Sequence, residues 1–511
     1  MLSKVKSYGL IGIDGYLIDV EVDINNGLPS FDTVGLPDSA IKESKERVKS
    51  AIKNSGFEYP INKIIVNLAP ANTKKEGSIY DLPIAVGLLR ATGQVLSDKL
   101  NNFIILGELS LNGDIRKVNG LLPMLISARN QGFNQFIIPF ENAKEASFIS
   151  GIEVYACKDL KQVADFLTDA INLQPILASS YEEIKNQQES INDFCYIKGQ
   201  HQAKRALEIA AAGGHNVIMV GPPGSGKTML AKAFSSILPD MTFDEALEAT
   251  KIHSIAGKLD SNEGIIIKRP FRSPHHTATI TALTGGGRNA KPGEISLAHN
   301  GVLFLDEMPE YSRSAVETLR QPLEDGVITV SRLAQTIEYP ANFTLIASMN
   351  PCPCGYYGSK NHNCKCTPTQ IQKYMSKISG PLLDRIDLHV DVDSVSYDDL
   401  SGEIHEESSK EIKERVNRAR QIQTNRYKNC NKIHCNAQMN SQLCKKYCQI
   451  SNEANLIVKQ AFEKFNMSAR AYNRILKVAR TIADLDNSEN IELEHLVEAI
   501  NYRTLDKKYF S

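Results

Sequence analysis

Residues 221–228 read Gly-Pro-Pro-Gly-Ser-Gly-Lys-Thr and lie between an apolar run at 216–220 (NVIMV) and a helical pattern over 228–238. The spacing GxxxxGK[ST] in a strand-to-helix setting constrains the fold more than any other feature of the chain. Its glycines let backbone N–H groups wrap phosphate oxygens, and the following helix N-terminus adds positive potential there. Gly221, Pro222, Pro223, Gly224, Ser225 and Gly226 would form the cradle. Lys227 would reach the β and γ oxygens, and the Thr228 hydroxyl would bind Mg²⁺. Such a loop needs a buried strand behind it, which predicts an α/β core with a parallel sheet.

The second half of such a site is Gly301-Val-Leu-Phe-Leu-Asp306-Glu307. Four apolar residues make a buried strand whose carboxyl end brings two carboxylates beside the phosphates. Asp306 would hold Mg²⁺ and Glu307 would polarise the attacking water; the other reading of Glu307 is a first-turn acid favoured by the next helix. A third strand, 343–348, leads to Asn350, whose amide could orient the water. Arg385, in Gly-Pro-Leu-Leu-Asp-Arg-Ile-Asp at 380–387, has two readings. It is either an arginine supplied in trans to the transition state, or a surface partner of Asp384 or Asp387.

The 511 residues carry 58 basic and 59 acidic side chains, a net charge of −1, so no global field draws the chain to nucleic acid or anionic lipid. Any such binding must come from local patches. With 42% hydrophobic and 23% charged residues the composition is that of an ordinary globular protein of several domains. No apolar run approaches the roughly 20 residues that span a bilayer. Asp14 and Asp19 fall too early for a signal-peptide core, so a cytoplasmic protein without membrane partners is expected.

Domain boundaries follow from pattern changes. Residues 1–172 alternate β-like runs (16–22, 63–68, 135–139, 153–156) with helices at 38–54, 81–93 and 120–131. Asp38 or Ser39 would cap the first helix, and 103–115 reads as a hairpin turning at Asn112-Gly113. Residues 173–192 turn polar and read as a linker. A second α/β segment runs over 193–392, and 393–511 is helical, with apolar periodicity at 454–465, 468–485 and 492–502. The basic stretch 413–426 is interleaved with Glu and Gln and reads as a solvated helix face.

Ten cysteines in a cytosolic chain are more readily thiols or metal ligands than disulfides. Cys352, Cys354, Cys364 and Cys366 form C-x-C, nine residues, C-x-C, which suits tetrahedral Zn²⁺; the alternative is four unliganded thiols. Cys430, Cys435, Cys444 and Cys448 with His434 are irregularly spaced and read as structural, as do the adjacent His275 and His276, unless these last belong to a pore loop.

Taken together, these residues resemble the AAA+ ATPases. Gly199-Gln200 and His201-Gln-Ala-Lys-Arg-Ala-Leu resemble the adenine-side element of that superfamily. Arg269-Pro-Phe-Arg-Ser-Pro-His-His276, Gly285-Gly-Gly287 and Pro292-Gly-Glu-Ile-Ser-Leu-Ala-His299 resemble magnesium-chelatase-type ATPases. The order of domains, over nearly the whole chain, is similar to the ComM/YifB branch of magnesium-chelatase-like proteins. The resemblance implies ATP and Mg²⁺ as cofactors, Asn350 as sensor 1, Arg385 as trans finger, and Arg470 as sensor 2 with Arg474 as fallback. It also implies a homo-oligomeric ring, usually a hexamer, with pore loops near 285–297 and 330–337 carrying Arg288, Lys291 and Arg332.

The N-terminal domain resembles the proteolytic domain of Lon. Glu76-Gly-Ser-Ile-Tyr-Asp81 stands at its serine motif and 107–122 at its lysine motif, with Ile79 in the serine slot and Leu122 in the lysine slot. Without the amine a Ser–Lys dyad has no base, and Ser78 reads as a turn hydroxyl. A non-proteolytic platform for assembly or DNA is expected. The implied function is a DNA motor acting in branch migration during natural transformation. The alternatives are a chelatase-like metal-insertion ATPase, against which the fused Lon-like domain argues, and a protein-remodelling ATPase.

Overall fold

The computed structural model describes residues 2–185, 192–260, 262–287, 290–331, 336–359, 362–394, 406–430, 433–465 and 467–503. The chain divides into two units, and the division is not collinear with the sequence. One comprises Met1–Gln187 together with Ala246–Ile267, the other Gln188–Glu245 and Lys268–Ser511.

The first unit is built on a seven-stranded mixed sheet. Leu2–Ile11 and Asp14–Asn25 form a long antiparallel hairpin, extended by Lys63–Ala69 against the second strand and by Ser30–Val34 at the edge. On the other side Phe103–Ile105, Gln135–Pro139 and Glu153–Cys157 add in parallel. Val20, Val22, Ile64, Val66, Ile104 and Ile137 alternate into a core completed by the helices Ser39–Asn54, Asp81–Ala91 and Leu121–Asn130. Asp38 caps the first of these, accepting from Ile41 N at 2.9 Å. The hairpin expected over 103–115 is shorter: only Glu108–Leu109 pairs with Ile115–Arg116. Phe103–Ile105 is buried on every residue and joins the central sheet instead, which is where an all-apolar run belongs.

The segment Ala246–Ile267, carrying most of the helix Phe243–Ala256, is held by this unit. Ser254 O accepts from Gly120 N at 3.1 Å and Leu259 O from Lys117 Nζ at 2.9 Å. The buried carboxylate of Glu145 accepts from Leu122 N at 3.1 Å and from the Ser254 hydroxyl. Residues 173–179, at the head of the segment read as a linker, are also fastened here, through Ile176 N to Val154 O at 2.8 Å and Ser179 N to Ser147 O at 2.9 Å.

The second unit is a five-stranded parallel sheet in the order Phe271–Arg272, Val302–Leu305, Thr344–Met349, Val217–Val220, Leu388–Asp391. The first strand in sequence is thus fourth in space, and the loop that follows it opens at the carboxyl end of the sheet beside Thr344–Met349, where α/β folds bind ligands. The helices His201–Gly213 and Lys227–Ile237 share one hydrophobic core with Ser409–Arg426, Ala469–Leu485 and Leu493–Asn501. Arg269 closes the point where the chain leaves and re-enters this unit, donating to both Glu245 oxygens (3.0 and 3.2 Å), Pro239 O (2.6 Å) and Asn300 O (2.8 Å).

The basic stretch 413–426 is solvated on one face only, where Glu414, Arg418, Gln421 and Asn425 are exposed. Arg415 reaches Glu208 at 2.5 Å, Arg420 donates to Ala211 O and Ala212 O, and Arg426 grips the fully buried Asp484. On the other side Arg415, Arg420 and Arg426 are struts to other helices, with partners far away in sequence. Among the described residues, no helix is long and apolar enough to cross a membrane.

Candidate active site

Gly224 and Gly226 hold left-handed backbones (φ 77° and 88°), and a Cβ at either would meet open space. The loop therefore presents an open cradle of the kind phosphates fill. Lys227 begins the helix behind it and is mostly buried. Its ammonium donates to Gly221 O (2.7 Å) and Pro222 O (2.8 Å), and lies 3.4 Å from Asn350 Oδ1. Burial pushes its pKa down to about 8, with Asp306 and Glu307 opposing. Gln200 donates to Ser225 O (3.4 Å) and Asp393 O (2.5 Å), which ties the Gly199-Gln200 segment to the phosphate loop.

The strand Val302–Leu305 ends in the acidic pair. Thr228 Oγ1 donates to Asp306 Oδ2 at 2.9 Å, so hydroxyl and carboxylate stand together as a hard cation would require. Glu307 adopts a left-handed backbone (φ 51°) and exposes its carboxylate beyond the strand end. Ser348, fully buried in Thr344–Met349, joins the pair: its hydroxyl donates to Asp306 and accepts from Glu307 N at 3.1 Å. Sequence reading missed this residue. Its signal was a polar hydroxyl near the carboxyl end of an otherwise apolar central strand.

Arg385 lies under the short helix Gly380–Leu383, mostly buried. Neither neighbouring aspartate is its partner: one Nη donates to Glu324, the other to Pro381 O at 2.8 Å, and Nε has none among the described residues. Asp387 instead takes Arg474 (2.7 Å) and His215 (3.3 Å). Burial lowers the Arg385 pKa, and the charges of Arg470, Arg320 and Arg474 lower it further, with Glu317 opposing. Arg470 is exposed at the start of Ala469–Leu485.

Cys352, Cys354, Cys364 and Cys366 bring their sulfurs within 4.8 Å of one another. Three of the separations are 3.3, 3.6 and 3.7 Å. Tetrahedral zinc with bonds of about 2.3 Å sets sulfurs about 3.8 Å apart, so the donors fit that ion. Among the described residues no other group of three or more ligands does so. Cys435, Cys444 and Cys448 are buried in the core, and His275 and His276 stack on each other at 4.1 Å.

Of the loop residues, Lys291 is exposed in a two-residue pairing with Gly285–Gly286, and the hairpin Val327–Ser331 with Thr336–Pro340 spans the second region. Arg288 and Arg332 lie outside the described residues. In the N-terminal unit Ile79 and Leu122 are buried in the core and Ser78 donates to Glu108.

Residues 193–400 match the family described as "Magnesium chelatase, subunit ChlI", residues 20–142 that described as "Subunit ChlI of Mg-chelatase", and residues 406–503 "Magnesium chelatase, subunit ChlI C-terminal". The chain is 44% identical over 507 residues to "Uncharacterized protein YifB" of Escherichia coli (strain K12), covering 99% of this chain and 98% of that protein. It is 42% identical over 510 residues to "Competence protein ComM" of Haemophilus influenzae, with the same shares of 99% and 98%. Lon protease 2 of Bacillus subtilis is 26% identical over 168 residues, 30% of each chain. With a phosphate loop facing an acidic strand end, and likeness that runs from end to end, the chain belongs to the ComM-like, magnesium-chelatase family of AAA+ ATPases.

Proposed function

We propose that the protein is a cytoplasmic, ring-forming ATPase that couples Mg²⁺-dependent hydrolysis to movement along DNA, as a hexamer acting in branch migration during natural transformation. The observation that carries this reading is the end-to-end likeness to a protein named for competence. Net charge does not contribute, so the DNA contact falls to local loops, with Arg288, Lys291 and Arg332 as the candidates.

Bound Mg²⁺–ATP supplies the anhydride to be cleaved and a cation that draws charge from its terminal oxygens. The chain does the rest. Lys227 and the N–H groups of Gly224, Ser225 and Gly226 would neutralise and orient the phosphates, while Thr228 and Asp306 would hold the cation. Glu307 accepts the proton of the attacking water, and Asn350 fixes that water's direction from across the loop. Arg385, paired with Glu324 in the single chain, would exchange that partner for the site of a neighbouring copy, which is why a ring is required. Arg474 is committed to Asp387, which leaves the exposed Arg470 for the nucleotide. Zn²⁺ is assigned to Cys352, Cys354, Cys364 and Cys366.

The second reading, metal insertion as in magnesium chelatase, draws on the names of all three matched families. The fused N-terminal unit argues against it less than the sequence suggested, because residues 20–142 match a family carrying that same name. ATP hydrolysis measured with and without single-stranded, duplex and forked DNA separates the two. Stimulation by DNA supports the motor. A wild-type protein that neither binds nor responds to any of these substrates sinks it, and passes the lead to metal insertion or protein remodelling.

A further inference from the structure

The cysteine centre and the nucleotide site are built from one continuous stretch of chain. Thr344–Met349 is a central strand of the sheet, Asn350 follows it, and Cys352, fully buried, comes two residues later. The chain then turns back: Gly355 N donates to Cys352 O at 2.9 Å, with Gly355 in a left-handed conformation (φ 84°). That turn rests on the phosphate loop. A Cβ at Gly355 would stand 2.5 Å from Pro223 Cδ and 2.7 Å from Pro223 Cγ, so only glycine permits the approach. Pro223 is the third residue of the loop, directly before Gly224.

The sulfurs are also dressed as metal ligands are. Tyr357 N lies 3.3 Å from Cys352 Sγ and Cys366 N 3.4 Å from Cys364 Sγ, the backbone donors that orient thiolates around an ion. Four thiolates at such distances repel one another unless a cation sits among them. Metal binding is therefore part of the free energy that folds this turn.

We infer that a zinc-class cation held by Cys352, Cys354, Cys364 and Cys366 is a prop for the nucleotide site, setting Asn350 from one end of the turn and Pro223 from its middle. The inference rests on the zinc assignment above and adds to it a dependence of ATP binding and hydrolysis on metal occupancy. Loss of the cation frees the turn, and the phosphate loop and Asn350 lose their backing with every nucleotide-contacting side chain still present. Because misplacement by about 1 Å costs about 10²-fold in rate, turnover should fall by on the order of 10-fold or more.

The test uses the full chain. Zinc content is measured by elemental analysis, the ion is displaced with an organomercurial and chelator followed by thiol, and binding of a fluorescent ATP analogue and ATP turnover are followed before displacement, after it, and after adding Zn²⁺ back. The expected result is weakened binding and slowed turnover in a protein whose circular dichroism is unchanged, restored by Zn²⁺. Zinc-loaded and zinc-stripped proteins that bind and turn over ATP alike would overturn the prop while leaving the zinc assignment standing. A purified protein that holds no zinc and takes none up overturns both. Should stripping unfold the chain, Gly355→Ala decides: it leaves all four thiols in place while pushing on Pro223 and straining the left-handed turn that rests on it. A Gly355→Ala protein with full zinc and wild-type ATP binding and turnover would refute the contact.

Discussion

The hydroxyl of Ser348 donates to Oδ1 of Asp306, while Thr228 holds the other carboxylate oxygen at 2.9 Å. Two oxygens fixed by two hydroxyls leave Asp306 a single orientation. The same Ser348 oxygen accepts from Glu307 N at 3.1 Å, pinning the left-handed residue that carries the second carboxylate. Ser348→Ala should therefore lower turnover by about 10-fold or more, the range seen when outer partners of metal-site ligands are removed. The Mg²⁺ concentration for half-maximal activity should rise, with nucleotide binding in the absence of Mg²⁺ unchanged. Ser348→Thr keeps the hydroxyl and should recover most of the rate. A Ser348→Ala enzyme with a normal Mg²⁺ midpoint would show that the hydroxyl only fills space.

Lys227 gives a prediction in pH. Its pKa is pushed down to about 8, chiefly by burial. Phosphates favour the charged amine, so binding ATP raises that pKa and takes up a proton. Affinity should then fall as pH rises above about 8, and this dependence should vanish in Lys227→Met. The free protein carries the opposite sign. Between pH 8 and the ordinary lysine value of 10.5 the unfolded chain binds more protons, so this group's contribution to stability increases with pH across that window. Isothermal titration of nucleotide between pH 7 and 9.5 checks the first statement. A pH-independent affinity in wild type would contradict it.

In the proposed mechanism Glu307 and Arg385 would divide the chemistry between copies. Glu307→Gln should bind ATP and hydrolyse it slowly. Arg385→Ala should bind ATP and lose roughly 10³-fold or more in turnover, as removal of trans arginines does. Mixed with Lys227→Ala, it should regain part of the activity, because each mutant spoils a different half of a shared site. Co-assembled mixtures that stay inactive would argue against the trans role.

The N-terminal unit should have no peptidase activity. The position read as its lysine slot holds Leu122 in the hydrophobic core, and Ser78 is bonded to Glu108, so that slot offers no amine to take a serine proton. Fluorescent casein should survive incubation with protein and ATP. Cleavage abolished by Ser78→Ala would reverse the assignment.

How much of this could be seen in the sequence depended on whether the determinants were local. Lys227, Thr228, Asp306 and Glu307 were legible because a phosphate loop and an acidic strand end are each written in consecutive residues, and the structure brings Thr228 and Asp306 to 2.9 Å. Asn350 was legible because it ends a strand, and it lies beside Lys227. Ser348 was not, since its role comes from a neighbouring strand 42 residues away. Phe103–Ile105 was drawn into a hairpin by the nearby Asn112-Gly113, whereas its partners are Gln135–Pro139 and Lys6. The helix Ser409–Arg426 does have a solvated face, but the inward role of Arg415 and Arg426 was not legible, because Glu208 and Asp484 lie 207 and 58 residues from them. The capture of Ala246–Ile267 by the N-terminal unit was not legible, because its contacts, among them Lys117, Gly120, Glu145 and the core on which Leu247 packs, all lie far away in sequence.

A motor that travels over arbitrary sequence must hold the backbone, because phosphates are the only feature every base pair shares. Lys291 is exposed at the end of its short pairing with Gly286, and Arg288 and Arg332 belong to the same two loop regions by sequence. Neutralising all three to Ala should weaken duplex binding regardless of sequence. It should also flatten the dependence of log affinity on log salt by about 0.7–0.9 for each phosphate that the variant leaves unneutralised. Basal hydrolysis should survive, since Lys227, Asp306 and Glu307 are untouched, while DNA-stimulated hydrolysis and strand movement should fall together. The alternative is that these charges pair with acidic neighbours and never meet DNA, in which case the salt slope of the triple variant matches wild type. Branch migration of a forked substrate at the wild-type rate by that variant would take these loops out of the mechanism.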